Sequence, residues 1–222
     1  MAAKLYQFLG SPFCAKARKL LEFKGVDFEV IEVDYLERKE LLLASGQLTV
    51  PAVTFDGGET IVDSARIALR LEQLHPEPTI FPPGWRGLHL ALADYIDNQL
   101  EDSVYPAAIA DELAYYGSQG ADRAALWRLI RERKYGAGFV DRMIAQQSDN
   151  WGRVRAALAV FEEQLSSAPF LTGRIGLADF SLYGQLFYFA FTGELKIPAE
   201  LKNLIAFFSR VDRISSRLDQ NA

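Results

Sequence analysis

Ser11 and Cys14 both fall in SPFCAKAR, residues 11–18, where a strand-like run gives way to a helical pattern. Backbone N–H groups at a helix start lack an intrahelical partner, and the helix dipole adds partial positive charge there. A thiolate in that position is stabilised and its pKa lowered, whether it belongs to Cys14 or to a bound thiol. Plainer readings stand beside this one: Ser11 is a good N-cap, and Cys14 is a small residue suited to burial. Cys14 is the single cysteine of the chain, which excludes an intramolecular disulfide and a multi-cysteine metal site. Asp63-Ser64, by itself, has the carboxylate and hydroxyl of an ordinary helix cap. Tyr105, Tyr115 and Tyr116 could stack an aromatic molecule or donate a hydrogen bond to it, or could simply pack. His75 and His89 are isolated, so no metal site is expected.

These residues need elements to position them. Residues 4–8 alternate as a strand, and Ser11-Pro12 opens a helix running to about Lys24. Serine suits the N-cap and proline the first helical position, where its missing N–H has no partner to lose. Gly25 ends the helix. Residues 28–33 (FEVIEV) predict a second strand, and residues 35–44 a short helix. TVPAVTF and TIVD flank an Asp-Gly-Gly turn and predict a hairpin. Asp63-Ser64 then starts a helix with Ile67, Ala68, Leu71 and Leu74 at helical spacing. The order is βαβαββα with a mixed sheet.

HPEPTIFPPGW carries four prolines within residues 75–85 and cannot continue a helix. It marks a domain boundary, giving an α/β domain over 1–78, a Pro-rich linker over 79–86 and an all-α domain over 87–222. Helical patterns in the second domain cover 87–114, 121–147, 150–167, 177–191 and 199–216. Pro106 is expected to bend or end the first of these, and RERKYGAGFVD to interrupt the second. The helix near 177 shows an N-cap at Gly176, a reciprocal Asp179, and Ile175 and Phe180 in staple positions.

The chain has 222 residues and a net charge of −5. Residues 1–80 carry 9 Lys and Arg against 12 Asp and Glu, and the remainder 15 against 17. Neither part is basic, so no nucleic-acid partner is expected. The apolar tract 182–191 is too short for a membrane span and is interrupted by Gly184 and Gln185. MAAKLYQF lacks the apolar core of a signal peptide. With a single cysteine, the expected compartment is the reducing cytoplasm.

SPFCAKARKLLEFKGVDFEVIEVD resembles the glutaredoxin and Omega-type glutathione transferase pattern, in which Cys-Pro-Phe opens the first helix. TVPAV resembles that family's turn before strand three, VDSARIALRLEQL its acidic-Ser start of helix three, and GLADFSLYGQL its helical-domain capping box. The resemblance implies a thioredoxin-like N-terminal domain with a mixed four-stranded sheet, followed by an all-α second-substrate domain. It implies glutathione as co-substrate, no metal, and a cis bond before Pro51. Val50 would pair its backbone with the cysteinyl part of glutathione. Asp63 and Ser64 would take the γ-glutamyl end, the carboxylate lying at the helix start. Phe13 would lie beside the thiol, and Arg38 or Lys39 would meet the glycyl carboxylate.

Ser11 stands where Omega-type members have their catalytic cysteine and cannot form a mixed disulfide. The expected activity is therefore thiol activation by Ser11, with attack on a small apolar electrophile held near Tyr105, Tyr115 and Tyr116. The alternatives are a glutathione-dependent thiol-disulfide reductase or deglutathionylase using Cys14, and a non-catalytic binding protein on the same fold. The family also implies a homodimer.

Overall fold

The structure is a computed structural model and describes residues 2–214. Strands β1 (Ala3–Gln7), β2 (Phe28–Glu32), β3 (Ala52–Thr54) and β4 (Thr60–Val62) form one sheet in the order β2-β1-β3-β4. β1 runs parallel to β2, from Ala3 opposite Phe28 to Gln7 opposite Glu32. It runs antiparallel to β3, which pairs antiparallel with β4. A crossover through helix α1 (Pro12–Phe23) makes the first pair parallel, and the tight turn at Asp56–Glu59 makes the last antiparallel. Helices α2 (Lys39–Ser45) and α3 (Ser64–Leu74) complete the α/β part.

α2 starts later than the pattern over 35–44 suggested. The Asp34 carboxylate accepts the N–H groups of Leu36 (2.8 Å) and Glu37 (3.1 Å), holding residues 34–38 as a turn. This turn carries Tyr35 and Arg38 to the edge of the second domain.

Residues 75–85 contain neither helix nor strand. They are strapped to the first domain by Lys24, whose Nζ donates to the carbonyls of His75 and Pro78 at 2.7 Å each and pairs with Glu72. Both Val50-Pro51 and Glu77-Pro78 are cis.

The second domain begins with α4 (Arg86–Tyr95), passes through one π-helical turn (Ile96–Leu100) and continues as α5 (Glu101–Ser118). α5 stays helical through Pro106, so the proline does not end it. Then come α6 (Ala121–Tyr135), α7 (Phe139–Ala145), α8 (Gln147–Ser167), α9 (Leu177–Phe187) and α10 (Lys202–Asp212). The pattern over 121–147 is split at Gly136 and Gly138, whose φ of 97° and 69° suit glycine and end α6. The pattern over 199–216 yields α10, and its positions 215–216 lie outside the described residues. α9 packs against α1 at Gly184, where a Cβ would stand 2.5 Å from the Pro12 carbonyl oxygen. The main core is therefore continuous across both domains, while a smaller one (Tyr6, Val33, Leu41, Ala52) lies on the opposite side of the sheet.

Candidate active site

The start of α1 supplies the first components. Ser11 is the N-cap, with extended backbone, and its Oγ accepts the Cys14 N–H at 3.4 Å. Its carbonyl accepts the Ala15 N–H at 3.0 Å. Pro12 has no N–H, so Phe13 carries the N–H left without a partner among the described residues. Cys14 turns into the core and is 1 % exposed. Burial pushes its thiol up to about 12, outweighing the hydrogen bonds from Ser11 and the Phe8 backbone that favour the thiolate.

A cavity of about 650 Å³ lies beside this helix start, lined by Phe13, Val50, Pro51, Asp63, Ser64 and, across from them, Asp94, Asp97 and Asn98. The backbone N–H and C=O of Val50 make no hydrogen bond among the described residues, leaving a short open edge next to β3. Asp63 has φ 87° and ψ 127°, an uncommon conformation for a residue other than glycine. Its N–H donates to the Pro51 carbonyl at 3.2 Å. Its Oδ1 accepts the N–H groups of Ala65 and Arg66 at 3.0 Å each, which leaves Oδ2 for another partner. The cap reading and the ligand reading of Asp63 thus use different oxygens.

A second cavity, of about 320 Å³, shares Phe13, Thr49 and Val50 with the first and adds Ser11. Tyr35 and Arg38 come to it from the α/β domain. From α5 come Glu101, Tyr105, Glu112 and Tyr116, and from α6 Arg131, Lys134 and Tyr135. Glu112 is buried in its wall, and its Oε2 accepts from Tyr105 Oη (3.2 Å), Trp127 Nε1 (3.1 Å) and Arg131 Nη2 (3.1 Å). Arg131 also donates from Nε to Tyr105 Oη and from Nη1 to Tyr35 Oη, both at 2.7 Å. Glu101 accepts from Tyr188 Oη at 3.0 Å, and burial raises its carboxyl above the usual range. The wall is thus aromatic and charged rather than simply apolar.

The candidate residues separate accordingly. Ser11, Phe13, Arg38, Val50, Tyr105 and Tyr116 meet at the second cavity, and Pro51, Asp63 and Ser64 line the first. Arg38 donates to the carbonyls of Tyr35 (3.1 Å) and Leu48 (3.0 Å) and stacks over the Phe8 and Tyr35 rings. Lys39 is exposed at the first residue of α2 and lines neither cavity. Tyr115 also stands apart: its ring packs on Tyr116 and Phe191, and it borders a separate small hollow with Glu32 and Gln119. Adjacent residues on a helix diverge by about 100°, and of the two only Tyr116 lines the second cavity.

Residues 5–79 match the family model of the glutathione S-transferase N-terminal domain, and residues 121–210 that of the C-terminal domain. The chain belongs to the cytosolic glutathione transferase superfamily. A curated relative, glutathione S-transferase Z1 of Arabidopsis thaliana, is 33 % identical over 96 residues, which are 41 % of this chain and 42 % of that protein. The aligned region thus spans less than half the length of that relative. Among solved structures, a glutathione S-transferase of Ceriporiopsis subvermispora in complex with glutathione superposes with a TM-score of 0.78 at 19 % identity, covering 96 % of this chain and 98 % of the other. Glutaredoxin 2 of Salmonella typhimurium, also in complex with glutathione, superposes at 0.72 with 16 % identity over 95 % and 93 %. At such identities these two likenesses establish the glutathione transferase fold.

Within this transferase fold, the cavity residues not anticipated from sequence include Tyr35, Glu101, Glu112, Arg131, Lys134 and Tyr135. Part of the signal was present. Glu101, Tyr105, Glu112 and Tyr116 recur at intervals of four, seven and four, which is one stripe of a helix. Arg131, Lys134 and Tyr135 follow the same rule. Nothing local marks Tyr35. Among the described residues no group of three or more His, Cys, Asp or Glu is placed to hold a metal ion, and no helix is long and apolar enough to cross a membrane.

Proposed function

We propose that this chain is a glutathione transferase in which Ser11, not Cys14, activates the glutathione thiol for attack on an electrophile in the second cavity. The observation that carries this reading is the junction of the two cavities at Phe13, Thr49 and Val50, beside Ser11 and the start of α1. A γ-glutamyl group at Asp63 and Ser64, with the cysteinyl backbone along Val50, brings the sulfur to that junction. There the Ser11 hydroxyl and the Phe13 N–H favour the thiolate, aided by the dipole of α1. Holding both reactants side by side supplies the rest of the acceleration. The aromatic wall of the second cavity suits an aromatic co-substrate better than an aliphatic one. Pairing of two copies and a cytoplasmic location, both expected of the family, belong to the same reading. The exposed Leu88, Leu90 and Tyr95 of α4 are apolar side chains such a pairing would cover.

A Cys14-based reductase is disfavoured by burial of the thiol and its rise to about 12, which keeps it protonated at pH 7. The test compares Ser11→Ala with Cys14→Ala under steady-state turnover across pH. Ser11→Ala is expected to lower turnover at pH 7 and move the rising limb of the profile to higher pH. Cys14→Ala is expected to keep the profile in place, and the wild-type thiol to stay unmodified by oxidised glutathione. A profile unmoved by Ser11→Ala rules out activation by that hydroxyl.

A further inference from the structure

We infer that Tyr35 is a further catalytic residue: its hydroxyl donates a hydrogen bond to a carbonyl oxygen of the co-substrate, which makes this site one for electrophiles whose reacting carbon is conjugated to a carbonyl. The inference rests on the transferase reading above and deepens it.

Three phenols of the second cavity, Tyr35, Tyr105 and Tyr188, differ in what happens to their protons. Tyr105 gives its proton to Glu112 at 3.2 Å, and Tyr188 gives its own to Glu101 at 3.0 Å. Tyr35 is placed the other way round. Its oxygen accepts from Arg131 Nη1 at 2.7 Å, and no protein acceptor for its proton is present among the described residues. Tyr35 is 4 % exposed, so this donor is held in a largely buried wall where an unmatched donor is costly. Tyr116 also makes no hydrogen bond among the described residues, but no cation is bonded to its oxygen to orient or polarise it.

Two elements fix the Tyr35 hydroxyl. The turn at residues 34–38 is pinned by Asp34, which also pairs with Arg123 of α6 at 2.5 Å. The ring is sandwiched by Phe8 (5.2 Å between centroids) and Tyr116 (4.5 Å). Arg131 is a positioning residue. Its charge is balanced by Glu112 at 3.1 Å, so it strengthens the phenol as a donor without making the cavity a site for free anions.

The step this serves is conjugate addition. The glutathione sulfur forms a bond to the β-carbon of an enone, and the carbon–carbon π pair shifts so that the carbonyl oxygen becomes an enolate. Tyr35 O–H hydrogen-bonds that oxygen as its charge grows. Water then protonates the α-carbon, replacing the proton that the thiol released to solvent. The product is a thioether, with no oxidant or reductant consumed.

Two aromatic electrophiles test this: benzylideneacetone, an enone, and benzyl bromide, which has no carbonyl. Tyr35→Phe keeps the ring and removes the donor. Its kcat/KM for benzylideneacetone is expected to fall roughly 10²-fold further than that for benzyl bromide. Tyr105→Phe, whose proton serves Glu112, is expected to lower both in equal proportion. Equal losses in Tyr35→Phe overturn the inference, because a purely structural role cannot distinguish the electrophiles. A wild type that conjugates benzyl bromide but not benzylideneacetone overturns it while leaving the transferase reading standing. Conjugation of neither overturns both.

Discussion

Ser11 caps α1 with the same oxygen that the proposed reading assigns to thiol activation, and the two roles have separate signatures. Loss of a serine cap costs about 1 kcal/mol and lowers stability at every pH, whereas loss of the activator moves a pH profile. Asp63 divides its work between two oxygens. Oδ1 is used by its own helix, through Ala65 and Arg66, and Oδ2, with no hydrogen bond among the described residues, is left for the ammonium group of the proposed binding mode. Asp63→Asn therefore keeps an acceptor for the cap while removing the charge an ammonium group would meet. Isothermal titration calorimetry with reduced glutathione is expected to show affinity at least tenfold weaker in this variant, a loss of about 1.4 kcal/mol, with the fold intact by circular dichroism. Unchanged affinity would place the γ-glutamyl end elsewhere.

At the scale of the element, the start of α9 shows how one residue type is chosen by a neighbour distant in sequence. Asp179 Oδ2 accepts the Gly176 N–H at 2.9 Å, and Oδ1 accepts the Leu171 N–H at 2.9 Å. Serine is the usual partner of such an acid, yet here the N-cap is glycine. A Cβ at Gly176 would lie 2.4 Å from Cε1 of His89, a ring brought in by α4. His89 is fully buried; its Nδ1 accepts the Ala178 N–H at 3.2 Å, and its Nε2 lies 3.0 Å from Thr172 Oγ1. Protonation of Nδ1 would replace an acceptor by a donor, and burial lowers the folded-state pKa below the ordinary imidazole value of 6.5. The unfolded chain therefore binds a proton first as pH falls. Stability contributed by neutral His89 is present above pH 6.5 and is lost as pH falls below it. Thermal melts from pH 7.5 to 5 are expected to show a steeper fall in Tm for the wild type than for His89→Asn. Parallel slopes would remove this imidazole from the pH dependence.

At the scale of the whole molecule, the domains are joined by a core and by charges that have no local partner. Lys16 of α1 is 1 % exposed and pairs with Asp97 of the π-helical turn at 2.5 Å. The π turn sets the register between Asp97, which faces α1 and the first cavity, and Glu101, which faces the second. Asp97→Asn leaves a buried ammonium without its countercharge, a loss of roughly 3 kcal/mol or more. Differential scanning calorimetry is expected to show Tm lower by about 6–12 °C. A shift of under about 2 °C would mean that water screens this pair as it does a surface one.

Much of the first domain is written locally. Ser11-Pro12 and Gly25 bound α1, alternation marks β1, the Asp-Gly-Gly turn closes β3 onto β4, and Asp63 caps α3; each depends on residues within a few positions of one another. The late start of α2 was not legible, because Asp34 competes for the N–H groups that a helix would otherwise use. Helical periodicity in the second domain identified which faces α5 and α6 could present, but not which of Tyr105, Tyr115 and Tyr116 would share a cavity. That depended on the π turn and on how α5 and α6 pack. The sequence by itself determined the family and the order of elements, because those signals are short-range. Only the tertiary structure decided the second cavity, since Tyr35 and Arg131 are 96 positions apart and their hydrogen bond exists only once the two domains share one core.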